Sequence, residues 1–308
     1  MEEIPKEVQK LVGERDELRR KGKYKESDAL RERLEGLGYE VVDGEDNTEV
    51  VKKDVYWAPE RSFLVLFGSG EIAPSGVRAH ERVLEGIGKK DVSIAIISTP
   101  AGFQPNVKVV YEEVAEFFEK HLANYHPRVS IVYANTLEDA NNPAVTQTLD
   151  TADYIFTGPG SPTYAVRNLK GSLLYKKIAE RVEAGASLGL ASAAAIAFSR
   201  FALPVYEIYK VGTPLYWEDG LNFYTRVLEE LTVIPHFNNT EGGKKNDTSR
   251  AWMGKKRFEK LLAVLPKPHE VWGIDEHTAA LIDLRTKEVE PMGKGKISYL
   301  KNRSIITE

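Results

Sequence analysis

The run Phe63-Leu64-Val65-Leu66-Phe67-Gly68, FLVLFG, decides the reading of this sequence. It is apolar at every position up to its glycine, so it offers no face to solvent. A strand of this kind is buried on both sides, as in a parallel sheet with helices on each face. The same signature returns downstream in VSIAIIST (92–99), VSIVYAN (129–135), ADYIFTG (152–158), ASLGLAS (186–192) and LTVIPH (231–236). Between these runs, at 76–87, 106–122, 163–169 and 174–184, the pattern is that of amphipathic helices. The alternation predicts an α/β fold with a doubly wound, mainly parallel sheet. Four shorter segments near the end, VWGID, TAALIDL, EVEPMG and KISYL, read as an antiparallel addition at its edge.

Upstream of Phe63 the pattern changes. Over residues 1–38 apolar residues are sparse, and spacings of three, four and seven through Val8, Leu11, Leu18, Leu30, Leu34 and Leu37 describe two helices parted by Gly22. Tyr39–Val42 and Glu49–Val51 then read as a β flap folded about 44–47. The expected organisation is a helical hairpin with flap over 1–53, a polar, proline-bearing linker over 54–62, and the α/β domain over 63–308. The hairpin reads as a docking element, with a homodimer as one form it can support.

The chain has 308 residues, which suits two domains. A hydrophobic fraction of 42% with 29% charged residues excludes a mostly disordered or membrane-embedded chain. The net charge of −4 excludes a global basic field that would hold nucleic acid non-specifically. No cysteine is present, so thiolate metal sites, disulfides and a cysteine nucleophile are excluded. No apolar run reaches the roughly 18 residues of a membrane span, and the first residues lack a secretory pattern, so a cytoplasmic protein without membrane contact is expected. The histidines show no H-x-x-x-H spacing; no metal and no cofactor are expected.

In a doubly wound sheet, ligands bind beyond the carboxyl ends of the strands. The segments there are Gly68-Ser69-Gly70-Glu71, Thr99–Gly102, Gly158-Pro159-Gly160-Ser161-Pro162, Ala191-Ser192-Ala193-Ala194-Ala195 and His236-Phe237-Asn238-Asn239. Ser192 and His236 are the candidate nucleophile and base. A strand–nucleophile–helix elbow needs small residues two positions either side of its tip. Around Ser192 those are Leu190 and Ala194; around Ala191 they are Gly189 and Ala193. The steric rule fits Ala191 at the tip better, which speaks against a serine enzyme: with Ala191 there, Ser192 is only a helix cap. Asp275 or Glu276 can orient the imidazole. Gly70, Glu71, Ser161, Glu207, Asn238 and Glu241 are the expected lining of a substrate pocket. For Glu207 and Lys210, within VYEIYKVG (205–212), a solvated strand face or an internal ion pair is the alternative.

These segments carry a resemblance over about 63–300. The GSGE loop, FTGPGSP (156–162), the histidine of PHF (235–237) and above all Gly273-Ile274-Asp275-Glu276-His277-Thr278-Ala279 are similar to the class I glutamine amidotransferase-like superfamily, in its serine-peptidase branch containing dipeptidase E and cyanophycinase. The resemblance implies a flavodoxin-like sheet and a serine hydrolase acting on a small peptide or amide. It assigns catalysis to Ser192, His236 and Glu276, and the oxyanion to the Gly160 and Ala193 amides. The sequence departs from the pattern at the elbow, where S-A-A-A replaces S-A-G-A and Leu190 a glycine, and at Pro159, where the branch has glycine. Those departures supply the rival expectation, a catalytically inactive ligand-binding module of the same fold.

A second resemblance covers residues 14–53. Arg15, Arg19, Lys23, Tyr24, Asp28, Leu30, Arg31, Leu34, Gly38 and Asp43 look like the C-terminal tail of cysteinyl-tRNA synthetase, without the HIGH or KMSKS signatures of aminoacyl-adenylate chemistry. It implies contact with tRNA, through a basic face of Arg15, Arg19, Arg20, Lys23 and Arg31. Basic and acidic residues are equally numerous over 1–36, so weak binding is expected.

Overall fold

The computed structural model describes residues 6–36, 39–43, 48–52, 61–266, 269–301 and 304–306. The chain divides into two units, Met1–Pro59 and Glu60–Glu308. The flap turn at 44–47, Gly38 and most of the expected linker lie outside the described residues.

The first unit contains α1 (Lys6–Arg20), α2 (Tyr24–Gly36), β1 (Tyr39–Asp43) and β2 (Thr48–Lys52). Gly22, at φ 71°, makes the break between the helices. The strands are antiparallel, with Tyr39 opposite Lys52. Val8, Leu11, Val12, Leu34 and Val41 form the core. The Arg15 side chain is wholly buried with them, its Nη1 donating to Asp16 at 3.0 Å, and so it is withdrawn from the basic face assigned to it from sequence.

The second unit begins with β3 (Phe63–Phe67), α3 (Pro74–Ile87), β4 (Ser93–Ile97), α4 (Val107–His121) and β5 (Arg128–Val132). Two single turns, α5 (Leu137–Ala140) and α6 (Pro143–Thr146), precede β6 (Tyr154–Thr157), α7 (Pro162–Leu169), α8 (Leu173–Glu183), β7 (Ser187–Ala191) and the short α9 (Ala193–Ala197). A small antiparallel pair, β8 (Phe201–Ala202) and β9 (Glu218–Asp219), is followed by α10 (Tyr224–Val227), β10 (Leu231–Ile234) and α11 (Gly254–Val264). The unit ends with β11 (Glu270–Ile274), β12 (Thr278–Asp283), β13 (Val289–Gly293), β14 (Ile297–Lys301) and β15 (Ser304–Ile306).

Among the described residues, seven strands form one sheet in the order β13-β12-β3-β7-β6-β4-β5. The five from β3 to β5 run parallel, and β12 and β13 extend the β3 edge antiparallel. Successive side chains on a strand point to opposite faces, and here both faces are dry. Leu64, Leu66, Ala95, Ile97, Ile155, Leu188 and Leu190 join the core beneath α7 and α8. Val65, Phe67, Ile94, Ile96, Tyr154 and Phe156 join the core beneath α3 and α4.

Three expectations are corrected. The LTVIPH run is not a strand of the large sheet: β10 pairs parallel with β11, in a four-stranded sheet β10-β11-β14-β15. An apolar run reports burial, not the identity of its neighbour, and here the neighbour comes from the tail. The tail itself is thus shared, β12 and β13 going to the large sheet and β11 and β14 to the small one. The stretch Glu207–Val211 is a π-helical turn rather than a strand face.

Candidate active site

Ser192 follows directly on β7 and stands at φ 48°, ψ −115°, a backbone region that a non-glycine residue occupies at a cost of about 1–3 kcal/mol. It forms the tip of the turn into α9. Ala191 is the last residue of β7, fully buried in the core beneath α3 and α4. Gly189, which from sequence favoured Ala191 at the tip, is explained by packing instead: a Cβ there would lie 2.3 Å from the Tyr154 hydroxyl and 2.9 Å from the Phe156 ring.

The Ser192 hydroxyl is 3.0 Å from Nε2 of His236, whose Nδ1 is 3.1 Å from Glu276 Oε1. A carboxylate only accepts, so Nδ1 carries the proton and Nε2 is free to accept from the serine. His236 follows β10 and itself has φ 51°. Its position is set by Gly68, at the end of β3. The Gly68 carbonyl accepts from the His236 N–H at 3.0 Å, and the Gly68 N–H donates to the Thr278 carbonyl at 2.8 Å. A Cβ on Gly68 would lie 2.0 Å from the Asp275 carbonyl oxygen, so glycine is what lets the loops after β10 and β11 dock on the large sheet.

Glu276 is heavily tethered. Its Oε1 also accepts from Asn239 Nδ2 at 2.7 Å, its Oε2 from the Ser69 hydroxyl at 3.3 Å, and its N–H donates to Asn238 Oδ1 at 2.7 Å. The hydrogen bond from His236 pulls its carboxyl down to about 2 from 4.5, with Asn239 and Ser69 adding to this against the opposing effect of burial. It is therefore an anion at any ordinary pH. Asp275, the other carboxylate considered from sequence, is buried and accepts from the Lys296 N–H at 3.2 Å. Ser69 and Asn239 were not assigned roles from sequence, although both lie in the loops quoted there.

A cavity of about 250 Å³ opens beside Ser192. Gly160, Ala193 and His236 border it near the serine, and Glu241 lies in its wall. The Ala193 N–H, first in α9, has no intrahelical acceptor. The other expected pocket residues are placed differently. Ser161 caps α7, its Oγ accepting from the Tyr164 N–H at 3.2 Å. Glu207 accepts from the Thr163 hydroxyl at 2.6 Å. Asn238 serves the Glu276 backbone, and Gly70 abuts the His277 ring. Burial pushes the Glu71 carboxyl up, with His236 lowering it and Glu276 raising it further, so Glu71 lies within electrostatic reach of the pair without lining the cavity. Among the described residues no cluster of three or more His, Asp or Glu side chains is arranged to hold a metal ion, and no helix is long and apolar enough to cross a membrane.

A second histidine lies beneath the Gly68–Glu71 loop. His80 is wholly buried, stacked on Phe67 at 4.8 Å, with Nε2 3.0 Å from the Glu71 carbonyl and Nδ1 3.0 Å from the Tyr154 hydroxyl. The carbonyl accepts from Nε2–H and the hydroxyl donates to Nδ1, which is the neutral tautomer. Burial lowers its pKa from 6.5 to about 4. The unfolded chain then takes up a proton that the folded chain refuses. Stability is full above pH 6.5, falls as the pH drops towards 4, and is flat with respect to this group below that. The loss is about 3 kcal/mol. Melting temperatures between pH 7.5 and 4 are expected to fall more steeply for the wild type than for His80→Gln; parallel curves would refute this.

Residues 1–57 match the family model described as the cysteinyl-tRNA ligase anticodon binding domain. A cysteine–tRNA ligase of Methanosarcina mazei is 43% identical over 53 residues, 17% of this chain, and the chain spans only 11% of that protein's length. Among solved structures, a peptidase from an acI-B1 Actinobacterium superposes with a TM-score of 0.63 at 22% identity, covering 82% of this chain and all of the other. A putative peptidase E protein from Listeria monocytogenes EGD-e does so with a TM-score of 0.50 at 20% identity, over 76% of this chain and all of the other. The chain thus has the α/β fold of peptidase E-like structures, and its N-terminal residues are similar to the anticodon-binding domain of cysteinyl-tRNA ligases.

Proposed function

We propose that the chain is a serine hydrolase acting on the amide or peptide bond of a small substrate. The observation that carries this is the Ser192–His236–Glu276 hydrogen-bonded chain, built on a strained turn and opening on a cavity. Ser192 Oγ attacks the substrate carbonyl while His236 Nε2 takes its proton. Glu276 holds the imidazole in the required tautomer and stabilises its cation. The negative oxygen of the tetrahedral intermediate rests on the Ala193 and Gly160 amides. His236 then gives its proton to the leaving amine, and water repeats the sequence in reverse to free Ser192. The test is labelling of the full chain by a fluorophosphonate probe, with the modified residue identified by peptide mass mapping. Modification of Ser192 is expected. An unlabelled protein that still binds peptides would favour the inactive binding module.

The second reading concerns the first unit. Its match to an anticodon-binding domain supports contact with tRNA. Tyr24, 60% exposed, and the exposed Arg20 and Lys23 lie at the junction of α1 and α2. Lys21 and Lys23 are paired with Glu17 and Glu26, which limits the affinity. Titration of the full chain with total tRNA is expected to show weak binding that falls with salt and is lost on Arg20→Glu with Lys23→Glu. Salt-independent binding, or none, would remove tRNA from the account.

A further inference from the structure

Arg250, Ala251 and Trp252 have φ of 57°, 51° and 65°, three consecutive left-handed residues with no glycine among them. Such strain persists only where the surroundings over-determine it, and it gathers at functional sites. Here the Arg250 N–H and guanidinium both donate to the Phe237 carbonyl, at 3.0 and 3.1 Å, and the Trp252 N–H donates to the Thr248 carbonyl at 2.9 Å. The Arg250 guanidinium also covers the Phe237 ring at 4.1 Å. The outcome is a fixed indole: Trp252 lies against the His236 imidazole at 4.8 Å, and its Nε1–H donates to Glu241 Oε2 at 3.1 Å.

Trp252 is one wall of the cavity beside Ser192. Tyr206, Tyr209, Ile196, Val205 and Pro162 also line it. The lining carries two charges of opposite sign: Glu241, which accepts from the indole, and Lys210, whose ammonium lies over the Tyr209 ring at 5.2 Å. They give the cavity no net charge to favour an acidic over a basic side chain, and burial against the aromatic and aliphatic remainder of the lining would strip water from either. The volume, about 250 Å³, is below the roughly 300–1,000 Å³ typical of drug-sized ligands and suits a single amino-acid side chain.

We propose that this cavity is a side-chain subsite of the hydrolase and takes an aromatic or large aliphatic side chain, with Trp252 as the residue that sets the preference. The identification of its occupant as part of a substrate rests on the hydrolase reading. The measurement is nevertheless made on the Ser192→Ala protein, so it does not depend on turnover. N-acetyl amides of phenylalanine, leucine, alanine, aspartate and lysine are titrated by ligand-observed nuclear magnetic resonance. Phenylalanine and leucine are expected to bind at least about tenfold tighter than alanine, within the range that apolar pockets deliver, and aspartate and lysine no tighter than alanine. Trp252→Ala in the same background should reduce the phenylalanine-to-alanine ratio about fivefold or more. Tyr206→Ala, at a partly exposed position outside the strained turn, should do likewise and serves if the tryptophan variant does not fold. A ranking led by phenylalanine and leucine supports the subsite whether or not Ser192 is labelled in the wild type. A ranking led by aspartate or lysine, or a flat one, overturns it even where Ser192 is labelled.

Discussion

Ser192→Ala is expected to abolish fluorophosphonate labelling and to lower turnover of any cleaved amide by about 10⁴-fold or more. The size follows from the cooperation of the three groups: once the nucleophile is gone, His236 has nothing to activate, and only binding and the two oxyanion amides remain. His236→Ala should cost a similar factor, since the serine then has no base, and the double variant should be little worse than either single one. Glu276→Gln keeps the hydrogen bond in shape but removes the anion that stabilises the imidazolium, so it should lose activity with little change in substrate affinity. Rates of labelling and of hydrolysis on the same preparations check the series. Retention of labelling in Ser192→Ala would place the reactive serine elsewhere and end the assignment.

Gly68→Ala is expected to be strongly destabilising, because the added methyl meets backbone on the neighbouring loop. The new carbon would lie 2.0 Å from the Asp275 carbonyl oxygen and 2.7 Å from that of Ile274, both backbone atoms that cannot rotate away. Relief requires the loop after β11 to lift, which breaks the bonds that Gly68 makes to His236 and Thr278. The expected loss is about 3 kcal/mol, at the upper end of overpacking costs. At roughly 2–4 °C per kcal/mol for a unit of this size, melting falls by about 6–12 °C. Labelling at Ser192 should slow by at least about tenfold below the melting temperature, because the displaced loop carries Glu276 and the bond that fixes His236 to Gly68 is disturbed with it. A variant that melts like the wild type would mean that the two sheets are not held together at this glycine.

Much of this was legible in the sequence, for reasons that also define its limits. Continuous apolar runs identify strands buried on both faces, and β3, β4, β6 and β7 divide their side chains between two cores accordingly. The same signal cannot say which strand lies beside which, hence the misplacement of β10. The juxtaposition of Ser192, His236 and Glu276 was readable because each stands within two residues of a strand's end, where the fold collects ligands. The turn at Ser192 was ambiguous because Gly189 and Leu190 were weighed as elbow residues, whereas Gly189 answers to Tyr154 and Phe156 inside the sheet. Trp252 gave no signal at all. Left-handed backbone is ordinarily announced by glycine or asparagine; at Arg250-Ala251-Trp252 it is imposed by tertiary hydrogen bonds that no local pattern encodes.

The bonds around Glu276 span very different lengths of chain. Ser192 and His236 are 44 positions apart, His236 and Glu276 are 40 apart, and Ser69 and Glu276 are 207 apart. At ribosomal speeds of about 5–20 residues per second, the 84 positions from Ser192 to Glu276 take roughly 4–17 s. Through that interval the emerging polypeptide carries the serine turn without its carboxylate partner, and until residue 236 without the histidine as well. A chain interrupted between residues 192 and 276 therefore lacks the hydrogen-bonded set that we propose for the chemistry, and the order of translation itself delays the assembly of the site.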